Sequence, residues 1–195
     1  MTRRAEVHRK TAETDIRVVL DVDGAGHAEV ATGLGFLDHM LGALAKHARF
    51  DLVLTCAGDV HVDDHHTAED CALALGEALR LALGDRKGIR RFGHAYAPLD
   101  EALVRAVVDL SGRPWPAIRL PFVREKLGEV ATENLVHVLQ SVAMSARMNL
   151  HVDRIQHEND HHLAEAAFKA VALALRAACA ADGHDDVPST KGVLA

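Results

Sequence analysis

The chain has 195 residues, of which 49% are apolar, so it can bury one substantial core or two small fused ones. Its net charge of −6 leaves no basic footprint for nucleic acid, and no apolar run approaches the ~18 residues of a membrane span. The charged segment 1–10 argues against a signal peptide, and the three cysteines form no paired motif. We therefore expect a cytoplasmic protein with neither nucleic-acid nor membrane partners.

Histidine is the unusual part of the composition. The chain has 14 histidines but only five Phe, one Trp and one Tyr. A composition rich in imidazole and poor in aromatic rings favours metal ligation, with solvated surface histidines as the ordinary alternative. The positions of the histidines are needed to decide between the two.

The first half of the chain predicts strands that alternate with amphipathic helices. Its predicted elements are a hairpin over 14–31 that turns at Asp23-Gly24, a helix over 37–48, an extended segment over 50–62 and a helix over 66–83. Gly84 is expected to end the second helix, because glycine readily adopts the backbone conformation found after a helix terminus.

The second half predicts the same order of elements. They are a strand over 103–110, a turn at Ser111-Gly112, a partner strand over 115–122, a helix over 132–147, a strand over 149–155 and a helix over 161–181. Prolines at 114 and 116 favour an edge position for the partner strand. We expect an α+β fold of two structural repeats, 1–92 and 93–195, each a sheet covered on one face by helices.

Two near-identical segments open the last helix of each half. DHHTAE occupies 64–69, and DHHLAE follows 96 positions later at 160–165. One HHxxE could arise by chance in a histidine-rich chain, but two at matching places predict a metal site. Adjacent histidines on a helix point ~100° apart, since there are ~3.6 residues per turn. Each pair is therefore expected to serve two different ions.

Each half offers one histidine in its earlier helix, one histidine pair and one glutamate. The candidate metal ligands are His39, His65, His66, Glu69, His137, His161, His162 and Glu165. Six imidazoles and two carboxylates divide evenly into two ions with three His and one Glu each. This donor set suits Mn²⁺, Fe²⁺, Co²⁺ or Zn²⁺ better than Mg²⁺ or Ca²⁺. The spacing leaves open which histidine binds which ion.

Fixed donors for a phosphate group occur at four places. They are the segments 90–93 (RRFG), 111–114 (SGRP) and 188–192 (PSTKG), and Lys169 on the last helix. Taken singly, each is more simply a solvated charge or an ordinary turn. The segment 188–192 is the most suggestive, because a small, glycine-flanked Ser-Thr-Lys near the end of a chain has little structural purpose.

These segments together resemble the imidazoleglycerol-phosphate dehydratase family. The matching motifs are FLDHML at 36–41, DDHHTAED at 63–70, DLSGRP at 109–114, HHLAEAAFKA at 161–170 and PSTKGVL at 188–194. The resemblance runs from about Arg9 to the end of the chain, with no departure at a ligand position. The length leaves no room for the phosphatase domain of some members, which predicts the single-function form.

The resemblance implies a lyase of L-histidine biosynthesis that dehydrates D-erythro-imidazole glycerol phosphate to imidazole acetol phosphate. It implies two Mn²⁺ per active site, which would activate the substrate ring as imidazolate so that its electrons expel the neighbouring hydroxyl. It also implies repeats like the second domain of ribosomal protein S5. The chains would assemble from trimers into a 24-subunit shell with active sites at subunit interfaces.

The resemblance also assigns roles to residues that are individually ordinary. Glu13 would be the general acid/base, although the sequence alone makes it a polar residue before a strand. Glu165 is a candidate catalytic residue as well as a metal ligand. The residues implied for the substrate phosphate are Arg91, Arg113, Lys169, Ser189 and Lys191.

Three other classes fit parts of the pattern. A two-metal hydrolase or phosphatase usually bridges its ions with carboxylates, and six imidazoles to two carboxylates is too rich in nitrogen. A metal store or chaperone has no use for Arg91, Arg113 and Lys191. Histidines that pin an oligomer together would be compatible with the dehydratase interpretation.

Overall fold

The computed structural model describes residues 3–194 and contains two four-stranded sheets, each packed against two helices. The first half comprises β1 (Arg4–Lys10), β2 (Thr14–Asp21), β3 (Ala28–Ala31), α1 (Gly35–Ala48), β4 (Asp51–Gly58) and α2 (His65–Leu83). The second comprises β5 (Phe92–Leu99), β6 (Ala102–Asp109), β7 (Trp115–Arg119), β8 (Lys126–Leu127), β9 (Val130–Ala131), α3 (Thr132–Ser145), β10 (Asn149–Gln156) and α4 (Asp160–Cys179).

The two sheets have the same topology. Their strand orders are β1-β2-β4-β3 and β5-β6-β10-β7, and in each the fourth strand runs parallel to its neighbour while the other pairs are antiparallel. The short β8–β9 hairpin is an addition to the second half. The predicted duplicated α+β fold is confirmed, while the division after residue 92 stays a prediction.

The predicted hairpin over 14–31 is wrong in its pairing. β2 pairs with β1, and β3 lies on the far side of β4. The cause is a long-range anchor: Oδ1 of Asp51 accepts hydrogen bonds from the backbone N–H groups of Ala25, Gly26 and His27 at 2.9–3.0 Å. This anchor fixes the loop to the start of β4, so the chain cannot turn back along β2.

The predicted pairing of 103–110 with 115–122 is wrong for a similar reason. β7 runs beside β10, because the N–H of Trp115 donates to the carbonyl of Met148 and the amide of Asn149 donates to the carbonyl of Arg113. The predicted edge position of this strand is confirmed. β1, which pairs with β2, and β5, which pairs with β6, are not predicted by the sequence. Charged or small residues interrupt their apolar pattern.

The helices hold the two halves together. α2 packs on β1 and β2 and against α3, while α4 packs on β5 and β6 and against α1. The helices therefore form two central layers between the sheets, and each helix pair joins one helix from each half. Within residues 3–194, no helix combines the length and apolar composition that a membrane span requires.

Candidate metal centres

The first cluster, called the Glu69 cluster, consists of His65, Glu69 and His137. Oε1 of Glu69 lies 3.1 Å from Nε2 of His137, and Oε2 lies 3.8 Å from Nε2 of His65. The two imidazole rings stack with centroids 5.1 Å apart. His65 and Glu69 occupy successive turns of α2, so their side chains share one face. His137 comes from α3, in the other half.

The second cluster, called the Glu165 cluster, repeats the first with the halves exchanged. His161 and Glu165 lie one turn apart on α4, and His39 reaches them from α1. Oε1 of Glu165 is 3.1 Å from Nε2 of His39 and 3.0 Å from Nε2 of His161. Each cluster therefore draws on both structural repeats.

The donor atoms of both clusters fit a bound metal ion. In each, two imidazole nitrogens and one carboxylate oxygen lie within 4.8 Å of one another. Ligands ~2.1 Å from one ion are separated by roughly 3.0–3.4 Å. Three of the four His–Glu separations, at 3.0–3.1 Å, fall in this range, and that between His65 and Glu69, at 3.8 Å, is longer. Nitrogen-rich sets with one carboxylate suit borderline transition ions.

The second histidine of each pair points away from its cluster. The planes of His65 and His66 are inclined at 78°, and those of His161 and His162 at 86°. Nδ1 of His66 lies 3.0 Å from Oδ2 of Asp59, and Nδ1 of His162 lies 2.8 Å from Oε2 of Glu101. These bonds leave Nε2 free to act as a ligand in His66 and His162, which we call the outward histidines because they point away from the clusters.

Two histidines and one carboxylate at the clusters have shifted pKa values. The pKa of His66 is raised by its hydrogen bond to Asp59, and that of His162 by its bond to Glu101. Burial opposes ionisation of Glu165, but hydrogen bonds from Lys169 and two histidines outweigh burial and lower the pKa to about 2. Glu165 is therefore an anion at neutral pH, as a metal ligand must be.

Glu13 lies at the edge of this region. It occupies the turn between β1 and β2, and half of its side chain is exposed. Its Oε1 is 3.7 Å from Nε2 of His66. The sequence-implied acid/base is thus beside a candidate metal ligand, on the surface of the chain.

Four of the five residues implied for the substrate phosphate line one open pocket of about 690 Å³. They are Arg91, Arg113, Ser189 and Lys191. The guanidinium of Arg91 is held by the carboxylate of Asp109 and by the carbonyl of Pro188. The structure brings these separate segments together.

Lys169 is not among the residues that line this pocket. Its Nζ instead lies 2.6 Å from Oε2 of Glu165, one turn away on α4. Lys169 therefore contacts the Glu165 cluster within the chain, and its phosphate role stays a prediction.

Sequence reasoning missed the residues that support the histidines. Asp59 and Glu101 hold the outward histidines, and Oδ1 of Asn134 lies 3.0 Å from Nδ1 of His65. Asn134 and Glu101 are far from their histidines in sequence, so no local motif could identify them. Asp59 is only seven residues before His66, but an aspartate at that spacing carries no recognisable signal.

The fold and the clusters define a duplicated α+β protein whose two halves share a pair of candidate metal centres. Residues 32–175 match the family model described as imidazoleglycerol-phosphate dehydratase. The chain belongs to the imidazoleglycerol-phosphate dehydratase family, as the sequence motifs predict.

Relatives match over nearly the whole chain. It is 58% identical to imidazoleglycerol-phosphate dehydratase of Phytophthora nicotianae, a match that covers 99% of this chain but 43% of that longer protein. Identity to the protein of the same name from Cereibacter sphaeroides (strain KD131) is 54%, over 98% of this chain and 100% of the relative.

Solved structures agree in fold. The crystal structure of IGPD from Pyrococcus furiosus in complex with (S)-C348 superposes with a TM-score of 0.83 at 37% identity, covering 96% of this chain and all of the other. The imidazoleglycerol-phosphate dehydratase of Staphylococcus aureus gives the same TM-score at 34% identity, covering 91% and 99%.

Proposed function

We propose that the chain dehydrates imidazole glycerol phosphate to imidazole acetol phosphate, a lyase step of histidine biosynthesis. The reaction removes a hydrogen from one glycerol carbon and a hydroxyl from the ring-adjacent carbon, releases water, and leaves an enol that tautomerises to the ketone. The observation that carries the proposal is the pair of matched His-Glu-His clusters, since an imidazole ring has two nitrogens to be held.

We propose that each cluster holds one divalent metal ion, with Mn²⁺ the ion expected. Bound ions would supply Lewis acidity that favours the imidazolate form of the substrate ring. Support comes from the Nε2 and Oε atoms of the clusters, because three of their four separations are 3.0–3.1 Å, as expected for ligands of one ion.

Glu13 is the proposed proton carrier of the reaction. Its carboxylate is half exposed and lies 3.7 Å from His66, so it can reach a substrate held beside that histidine. Glu165 is bonded to His39, His161 and Lys169 within its cluster, which suits metal ligation. We therefore assign Glu165 to metal ligation and Glu13 to proton transfer.

The open pocket of about 690 Å³ is the proposed phosphate site. Arg91, Arg113 and Lys191 bring three cations to it, and Ser189 adds a hydroxyl donor. Asp109 and Pro188 already fix the Arg91 guanidinium, which lowers the cost of ordering it on binding.

We propose that the active site is completed between copies of the chain. Each cluster has two of the three expected histidines, and Nε2 of His66 and of His162 belongs to neither cluster. A second copy would supply the missing ligand, and we propose that trimers of the chain build a 24-subunit shell.

We propose a cytoplasmic location, because the free cysteines Cys56, Cys71 and Cys179 suit a reducing compartment.

The direct test is formation of imidazole acetol phosphate by protein stripped with EDTA and then supplied with Mn²⁺. We expect no turnover in the stripped protein, recovery with the metal, and about two ions per chain by elemental analysis. Turnover by the stripped protein would reject the metal role. Lack of turnover with both sites filled would reject the dehydratase role.

A further inference from the structure

The two clusters have equivalent ligands but unequal neighbours. His39 and His137 are equivalent in the duplication, and so are Glu69 and Glu165. At the same offsets, however, Phe36 stands where the other half has Asn134, and Leu73 stands where the other half has Lys169. These two exchanges place different chemistry beside each cluster.

Asn134 fixes one tautomer of His65. Its Nδ2 donates at 2.9 Å to Oδ2 of the Asp64 carboxylate, so its Oδ1 faces His65. Asp64 and Asn134 are both buried, and the N–H of Ala131 donates to the same carboxylate oxygen at 2.7 Å. Nδ1 of His65 must then carry the hydrogen, which leaves the Nε2 lone pair directed at the cluster.

Phe36 gives His161 no such constraint. The phenyl ring meets the imidazole edge to face, with centroids 5.3 Å apart, and offers no acceptor oxygen. In the part of the chain that the structure describes, no hydrogen bond reaches Nδ1 of His161. The equivalent histidines therefore differ in how firmly the ligating nitrogen is held.

Lys169 adds a second difference. Its ammonium donates a hydrogen bond to Oε2 of Glu165 and offsets part of the negative charge that would otherwise attract a metal ion. Leu73 places no cation beside Glu69. The outward histidines add no further difference between the two clusters. Each has a carboxylate on its Nδ1, from Asp59 for His66 and from Glu101 for His162.

We propose, resting on the proposed metal function, that the Glu69 cluster binds the first ion and the Glu165 cluster binds the second with lower affinity. Asn134 is the positioning residue that makes the Glu69 cluster the stronger site. Lys169 makes the other the weaker. Duplication thus supplied two matched ligand sets, and these neighbours made them unequal.

The test is calorimetric titration of EDTA-stripped protein with Mn²⁺ alone. Two classes of site are expected, separated by about tenfold or more in affinity. Asn134→Ala should weaken the tighter class about 10- to 100-fold and leave the weaker class unchanged. A single class of two equal sites, or equal weakening of both by Asn134→Ala, would overturn the inference. Absence of any Mn²⁺ binding would instead reject the proposed function.

A reciprocal pair of variants tests the order of filling without altering a ligand or Asn134. Lys169→Leu should tighten the weaker class and Leu73→Lys should weaken the tighter class, each by roughly three- to tenfold. The double variant should bring the two classes together. The inference fails if Lys169→Leu changes the tighter class, or if Leu73→Lys changes the weaker one. Circular dichroism of each variant confirms that it is folded before titration.

Discussion

At the residue scale, the two adjacent histidines of each motif have different contacts. His65 and His161 lie in the clusters, while the rings of His66 and His162 point away from them toward Asp59 and Glu101. The helical angle between neighbours predicts this divergence from the sequence. It cannot predict the acceptors behind each ring, because these come from other elements.

Replacing Glu13 tests proton transfer at a single atom. Glu13→Gln removes the titratable oxygen but keeps the size of the side chain and its place beside His66. We expect kcat to fall about 10²- to 10⁴-fold with little change in KM, because the substrate still binds but is not converted. Steady-state kinetics measures both values.

Glu29→Gln is the matched control for this prediction. Glu29 is an exposed glutamate on β3 and has no place in either cluster, so its kinetics should stay at the wild-type level. Rapid turnover by Glu13→Gln would remove Glu13 from the mechanism.

At the scale of elements, the sequence predicts helices better than it predicts strand pairing. The bounds of α1, α2, α3 and α4 lie within two residues of the predicted positions, because each helix carries a continuous apolar stripe. The partner of a strand depends on anchors such as Asp51 and Asn149. Those anchors lie far away in sequence and have no periodic signal.

Gly76 sets the approach of α2 to α3. A β-carbon there would lie 2.6 Å from the carbonyl oxygen of Val142 and 3.0 Å from the N of Ala146, both backbone atoms. Gly76→Ala should therefore push the helices apart, destabilise the fold by about 1–3 kcal/mol and weaken Mn²⁺ binding at the Glu69 cluster. Denaturation midpoints at fixed protein concentration and Mn²⁺ titration measure the two effects.

Gly42 supplies the opposite control. It lies within α1, and a β-carbon there would meet nothing within 4 Å. Gly42→Ala should stabilise the fold by about 0.5–1 kcal/mol through helix propensity. Equal effects of the two substitutions would show that α2 and α3 are not in close contact.

Asp153 links three strands of the second sheet and gives their stability a pH dependence. Its carboxylate bonds to Arg105 on β6 and to Arg119 on β7 at 2.7 and 2.6 Å. Burial raises the pKa of Asp153, but the two arginines outweigh burial and lower it. A lowered folded-state pKa stabilises the fold above the unfolded value of ~3.9, and that stability is lost as pH falls through the folded value.

Asp153→Asn should therefore cost about 1 kcal/mol at pH 7, a small value because both guanidinium groups are well exposed. The difference from wild type should shrink as the pH falls below 4. Chemical denaturation at pH 7, 4 and 3 measures it. A difference that stays constant over this range would show that Asp153 makes no charge-dependent contribution.

At the scale of the whole molecule, the sequence motifs do not predict that each cluster takes ligands from both halves. Glu69 meets a histidine 68 positions later, and His39 meets a carboxylate 126 positions later. The sequence predicts the ligands as a set. Only the packing of α2 on α3 and of α1 on α4 decides which of them meet.

Mixed oligomers test whether copies of the chain complete one another's sites. His65→Ala breaks an internal cluster and His66→Ala removes an outward ligand, so each alone should be inactive. Refolding the two variants together should restore part of the wild-type turnover, because some interfaces then combine an intact His65 with an intact His66. Activity of the mixture is compared with that of each variant.

His65→Ala mixed with His137→Ala is the matched control. Both substitutions damage the same internal cluster, so no pairing of chains can rebuild it, and the mixture should stay inactive. Recovery in this control, or no recovery in the first mixture, would count against sites completed between copies.

The packing of α2 on α3 and of α1 on α4 also constrains how such a duplicated chain could evolve. Neither half holds a cluster alone, since each cluster takes one histidine from the opposite repeat. A half-length ancestor would have formed both clusters only as a two-fold dimer, in which the two were identical by symmetry. Fusion of two copies would remove that symmetry and allow residues such as Leu73 and Lys169 to differ. The two centres can therefore be unequal only in a chain that carries both halves.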